Sequence, residues 1–344
     1  MTNHDRPYND RRGVLVVHPG AVGDVLLARP ALNLLRRQFP QHEIALLVGA
    51  AVGLVLRDGG ETDRVFPLES TYLTELFAGS DSVHLAFRKW INTCDLAVGW
   101  LQDTEKAVLN TLRTLGVQRL CVQSPSSSDL LSEHQAARYL EVLDAAVVNT
   151  VKNHPLILSP SVREQGRQIL HRLNWSHQQR LVVIHPGSGS VHKCMEASRF
   201  PSVIEWLSSE GTFPVLLEGP SDGESVAQVL RFLSVAVPVM RDRDLSMAAA
   251  VLSHADLYLG HDSGMTHLAA ALSIPTIACF GPTNPRRWAP LGRTVLILNG
   301  APCTCPDWSS VKCCQEKVCL HVSPERIIEG CRDLLMKRSA APTA

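Results

Sequence analysis

The chain has 344 residues, 45% hydrophobic and 19% charged, with 33 basic side chains balanced by 33 acidic ones. That length predicts two domains with substantial cores, and the zero net charge argues against general nucleic-acid binding, which favours a basic surface. No apolar run reaches the roughly 18 residues of a membrane span, and the polar start MTNHDRPYNDRR has no apolar signal core, so the expected setting is the cytoplasm. The first half alternates strand and helix signals. Strands are expected at Val14–His18, Glu43–Val48, Arg64–Pro67, Asp95–Gly99 and Val117–Val122, and helices at Pro30–Phe39, Asp103–Leu115 and Glu133–Val147. Such alternation predicts a parallel sheet covered by helices on both faces.

Between Asn149 and Ser176 the pattern is mixed, with Pro155 and Pro160 breaking it. The domain boundary is placed there, giving domains over 1–155 and 156–322 and a C-terminal helix and loose tail over 323–344. In the second half, strands are expected at Leu181–His185, Pro214–Glu218, Val235–Val239, Asp256–Gly260, Pro275–Phe280 and Thr294–Leu298. Helices are expected at Ser198–Ser209, Glu224–Leu233, Ser246–Ser253, Ser263–Leu272 and from Pro324 to about Lys337. VLVVHPGAVGD opens the first half and LVVIHPGSGSVHK the second, each a buried strand running into His-Pro-Gly and a glycine loop. The fold class is therefore α/β, with two doubly wound, Rossmann-like domains facing a cleft.

Asp256 to Pro290, DLYLGHDSGMTHLAAALSIPTIACFGPTNPRRWAP, is the most informative stretch. A strand ends at His261-Asp262-Ser263-Gly264. A helix follows with Met265, Leu268, Ala269 and Leu272 on one face, capped by Asp262 or Ser263. A second strand then ends in Gly281-Pro282-Thr283-Asn284-Pro285. Loops at the carboxyl ends of parallel strands, one opening a helix, form an anion site. The segment reads as a diphosphate cradle.

GHDSGMTHLAAA and FGPTNP resemble the donor-binding region of the heptosyltransferases that build lipopolysaccharide cores, glycosyltransferase family 9. With two further segments, GAVGD and HPGSGSVHK, the resemblance spans residues 13 to 330. It implies the GT-B architecture, in which the C-terminal helix packs back on the first domain. It also implies an inverting, metal-independent transfer of heptose from ADP-heptose to a lipid-linked saccharide acceptor, with no cofactor. Peripheral contact with the inner membrane surface and a monomeric state are expected with it.

Candidate residues follow. Asp24 comes after a loop in which Gly20 and Gly23 allow a tight turn and close approach of a ligand. It matches the family's general base, although a helix cap or turn aspartate fits the spacing too. Lys193 can neutralise a leaving diphosphate; in the family pattern a tryptophan stands two residues later, where this chain has Met195. Ser188 and Ser190 can bond phosphate. Asp262, Ser263, Gly264 and His267 form a donor group, joined by Gly281 and Thr283. Asp222 or Glu224 can hold ribose hydroxyls or cap a helix. Asp242 and Asp244 form a D-x-D that capping explains equally well.

Ten cysteines are present, five of them between Cys303 and Cys319. Cys303, Cys305, Cys313 and Cys319 have metal-ligand chemistry without the paired spacing of strong zinc sites, so zinc, a local disulfide and reduced thiols all stay open. Four rival functions are a nicotinamide-dependent oxidoreductase, a nucleotide-sugar epimerase, a non-catalytic binding protein and a glycosyltransferase of the same fold using another nucleotide sugar. The first is disfavoured because Gly20-Ala21-Val22-Gly23 is not the dinucleotide fingerprint.

Overall fold

Strands buried on both faces are apolar along almost their whole length, and the central strands of both sheets, such as GVLVV and TIACF, have that character. A computed structural model describes residues 12–125, 133–143, 154–241 and 244–339, with residues 337–339 described by backbone only. The chain divides into two units, Met1–Lys152 and Asn153–Ala344.

The first unit carries β1 (Gly13–Val17), β2 (Glu43–Val48), β3 (Arg64–Pro67), β4 (Cys94–Trp100) and β5 (Arg119–Gln123). All pair in parallel in the order β3-β2-β1-β4-β5. Its core gathers Leu15, Val17, Leu47, Phe66, Phe87 and Leu112 from strands and covering helices. Arg29, 1% exposed, is held by the carboxylate of Glu61 at 2.9 Å. A buried guanidinium requires such a partner.

The second unit carries β6 (Leu181–His185), β7 (Phe213–Glu218), β8 (Val239–Arg241), β9 (Leu257–His261), β10 (Thr276–Phe280) and β11 (Val295–Asn299). They pair in parallel as β8-β7-β6-β9-β10-β11, the doubly wound order. Chain direction across each sheet reverses beside its first strand, so the switch points lie at β1/β4 and β6/β9. The loops leaving β6 and β9 are thus neighbours, at the place where ligands bind in open α/β sheets.

Several expectations shift. β8 begins at Val239 and not at Val235, because Pro238 has no N–H to give a ladder; its carbonyl instead receives the N–H of Leu216 at 3.0 Å. The helix expected from Asp103 begins at Ala107, since the Asp103 carboxylate takes the N–H groups of Val108 and Leu109. Short helices at Val22–Leu27, Ala50–Asp58, Tyr72–Ala78 and Leu85–Ile91 were not expected. The helix Pro324–Ser339 sends Ile327, Cys331, Leu334 and Leu335 into the core of the second unit, against β9, β10 and the helix Phe200–Ser209. Asp242, the end of the helix expected to Val147, and the tail after Ser339 lie outside the described residues.

Candidate functional site

Helix Gly264–Ala271 begins beyond β9. Ser263 caps it, accepting from the N–H of Thr266 at 3.4 Å, so Asp262 is not the cap. Gly264 stands at the first helical position. The N–H groups of Gly264 and Met265 have no partner among the described residues.

Asp262 has a different task. It is 6% exposed, and a buried carboxylate needs partners. Its Oδ2 accepts from Lys193 Nζ at 2.7 Å and from Thr283 Oγ1 at 2.7 Å. His267 Nε2 stands 3.9 Å from its other oxygen. Its backbone carbonyl accepts from Ser188 Oγ at 2.8 Å. One aspartate therefore ties together the loops after β6, β9 and β10. Lys193, Asp262, Thr283, Ser188 and His267, named from three separate segments of the sequence, converge here. Ser190 accepts from the N–H of His192 at 3.3 Å and caps the turn that carries Lys193. Asn284 caps the short helix Pro285–Trp288 through the N–H of Arg286. Gly281 allows a close approach: a Cβ there would lie 2.5 Å from Leu320.

Beneath this surface runs a polar chain that sequence reasoning did not assemble. Tyr258 Oη lies 3.2 Å from Thr266 Oγ1, which lies 3.1 Å from Ser263 Oγ. Ser263 Oγ is 3.4 Å from His185 Nδ1, and His185 Nε2 is 2.8 Å from Asp222 Oδ2. Asp222 also accepts the N–H of Gly219 at 2.9 Å. Burial alone would raise the Asp222 carboxyl, but the bond and charge of His185, with the Gly219 N–H, hold it below the usual range. Asp222 is thus structural. Of the two carboxylates weighed for ribose, Glu224 is the exposed one, accepting from Gln228 at 2.8 Å.

His261 is fully buried. Its Nε2 accepts the N–H of Met195 at 3.0 Å, so the ring proton sits on Nδ1, 3.3 Å from the Gly187 carbonyl. Burial pulls its pKa down to about 4. Its place at the end of β9, directly before Asp262, was the available signal.

A cavity of about 310 Å³ opens beside the turn of Lys193. Met195 and Glu224 line one part, and Gln315, Lys317 and His321 of the cysteine-rich segment another. The cysteines of that segment are free thiols. Cys319 is buried and Cys313 exposed, with Cys303, Cys305 and Cys314 between these extremes. Among the described residues no three His, Cys, Asp or Glu side chains are grouped to hold a metal ion.

In the first unit, Asp24 is the third residue of helix Val22–Leu27. Its Oδ2 accepts the N–H of Ala21 at 3.1 Å, at the helix end that favours negative charge. The turn-aspartate geometry is therefore present, and the carboxylate is only half-buried. Gly20 lies against His18 and Asp24, since a Cβ there would meet His18 Cε1 at 2.6 Å and Asp24 Cβ at 2.9 Å. Gly20 donates to His18 Nδ1 at 3.1 Å, which places the ring proton on the buried Nε2. Burial lowers the His18 pKa to about 4. Gly23 lies within the same helix.

The family model described as Glycosyltransferase family 9 (heptosyltransferase) matches residues 108–317. Lipopolysaccharide heptosyltransferase 3 of Escherichia coli is 23% identical over 293 residues, covering 80% of this chain and 85% of its own length. The structure of a glycosyl transferase family 9 protein from Veillonella parvula superposes with a TM-score of 0.79 at 19% identity, covering 95% of this chain and 98% of its own. The structure of the E. coli ADP-heptose lipopolysaccharide heptosyltransferase II does so with a TM-score of 0.72 at 19% identity, covering 95% and 100%. The two-unit α/β fold is the GT-B architecture of these proteins.

Proposed function

Because the chain belongs to glycosyltransferase family 9, the heptosyltransferase family, we propose that it moves heptose from ADP-heptose to a lipopolysaccharide core or related lipid-linked saccharide. The observation that carries the reading is the convergence of Lys193, Asp262, Thr283 and Ser188 at the β6/β9 switch point. An ammonium paired with a buried carboxylate, beside a capped helix start, suits a diphosphate. The phosphates compete with Asp262 for Lys193, and the Gly264 and Met265 N–H groups add donors of the kind that hold phosphate at a helix N-terminus.

The reaction is a single displacement with inversion. The acceptor hydroxyl attacks the anomeric carbon while the bond to the diphosphate oxygen breaks. Asp24 takes the hydroxyl proton, and Lys193 with the helix N–H groups stabilises the charge on departing ADP. Glu224 holds ribose hydroxyls. The second unit binds the donor and the first the acceptor. No metal takes part, and the protein works as a monomer, touching the cytoplasmic face of the inner membrane only peripherally.

Thermal stabilisation by nucleotides, followed by turnover assays, tests this. ADP and ADP-heptose should raise the melting temperature, with UDP, GDP and NAD inert. Turnover should persist in chelator and vanish in Asp24→Ala, with product of inverted anomeric configuration by NMR. Selective stabilisation by UDP or GDP would replace the donor, and by NAD alone would overturn the reading.

A further inference from the structure

We propose that Trp308, in the cysteine-rich segment, is a positioning residue for Lys193. It holds the ammonium at the donor site while a diphosphate displaces it from Asp262. The inference rests on the donor-site reading above. Lys193 Nζ lies 5.9 Å from the centre of the Trp308 ring, within cation–π range, and 2.7 Å from Asp262 Oδ2. Two anchors of different kinds thus hold one cation.

The difference between them matters once phosphate arrives. Asp262 is anionic and repels the phosphates that Lys193 must meet. Trp308 is neutral, and its electron-rich face attracts the ammonium without opposing the ligand. As phosphate oxygens take over from the carboxylate, the ring still limits where the flexible lysine stem can place its charge.

The helix that carries the ring is itself anchored. Trp308 opens helix Trp308–Cys313, which Asp307 caps through the N–H of Ser310 at 2.7 Å and its hydroxyl at 2.9 Å. Lys317 of the same segment donates to the Val191 carbonyl at 3.2 Å, gripping the turn that carries Lys193. Leu320 sits against Gly281 of the β10 loop. The segment is therefore fastened to two of the donor loops. Trp308 is nonetheless 39% exposed, a large aromatic that core packing does not account for. Met195, two residues beyond Lys193, is buried in the core and does not supply this contact.

A double-mutant cycle on the full chain tests the proposal, with dissociation constants for ADP and for adenosine measured by calorimetry. Trp308→Ala should weaken ADP about fivefold, equivalent to about 1 kcal/mol. Adenosine, lacking phosphates, should bind unchanged. Trp308→Phe should restore most of the loss, and it serves as the folded control if the alanine variant is unstable. In a Lys193→Ala background, Trp308→Ala should cost nothing further. The proposal is overturned if Trp308→Ala leaves ADP within twofold of the parent, or weakens it equally without Lys193. If Lys193→Ala binds ADP like the parent, the donor-site reading itself fails, a result separable from the other two.

Discussion

Asp24 and Lys193 divide the proposed chemistry, so their variants should fail in different ways. Asp24→Asn removes a base and leaves the donor loops intact; kcat should fall about 10²- to 10⁴-fold with ADP affinity unchanged, as steady-state kinetics and calorimetry would show. Equal loss of ADP affinity would place Asp24 in donor binding. The buried histidines set a pH response. His18 and His261 have folded pKa values of about 4 against 6.5 when exposed. Between those values the unfolded chain binds the protons and the folded one does not. Stability is therefore full above pH 6.5 and is lost as pH falls toward 4, by about 1.4 kcal/mol per pH unit for each ring. Denaturant titrations across this window should show the slope, and His261→Asn should roughly halve it. A flat profile from pH 7 to 4 would mean the rings are not held neutral. Asp262 and Asp222 were both named from sequence, yet which one grips Lys193 and which one braces His185 was not legible there. Both follow a strand and precede a helix start, and only the neighbouring loops distinguish them.

Among the elements, strand existence was legible because burial on both faces leaves an unbroken apolar run, such as Val14 to Val17 or Leu257 to Leu259. Short helices were not. Val22–Leu27 has six residues and no side-chain cap from its N-cap residue Ala21, so neither period nor cap announces it. Close packing between elements was equally invisible. Helix Pro160–Arg172 lies against helix Leu245–Leu252, and a Cβ at Gly166 would sit 2.2 Å from the Ala250 carbonyl oxygen. Backbone cannot yield as a side chain tip can, so Gly166→Ala should destabilise by about 1–3 kcal/mol, read as a lowered denaturation midpoint. An unchanged midpoint would mean that the helices do not meet at this glycine. At the start of helix Gly264–Ala271, Ser263→Ala should cost about 1 kcal/mol for the cap. It should also weaken ADP binding, because the same hydroxyl reaches Thr266 and His185.

Over the whole molecule, the donor reading assigns ADP to the second unit. Hydrogen exchange with saturating ADP should therefore show protection concentrated in Gly187–Lys193 and Ser263–Thr266, with the strands of the first sheet little changed; protection centred on Gly20 to Asp24 would reverse the assignment. The sequence alone determined the fold class, the family and most of the residues that meet at the β6/β9 switch point, because these rest on local patterns: apolar runs, glycine loops and a strand–loop–helix motif contiguous from Asp256 to Pro290. Tertiary structure alone decided the partners. Lys193 and Asp262 are 69 positions apart, and His185 and Asp222 are 37. Each pair meets only because the doubly wound order seats β6 beside both β7 and β9, bringing their carboxyl-end loops together. Trp308 reaches Lys193 from farther still, through a segment whose cysteines drew attention to metal chemistry and away from the ring beside them. Spacing in sequence carries no information about such encounters, since strand order, not chain distance, selects which loops become neighbours.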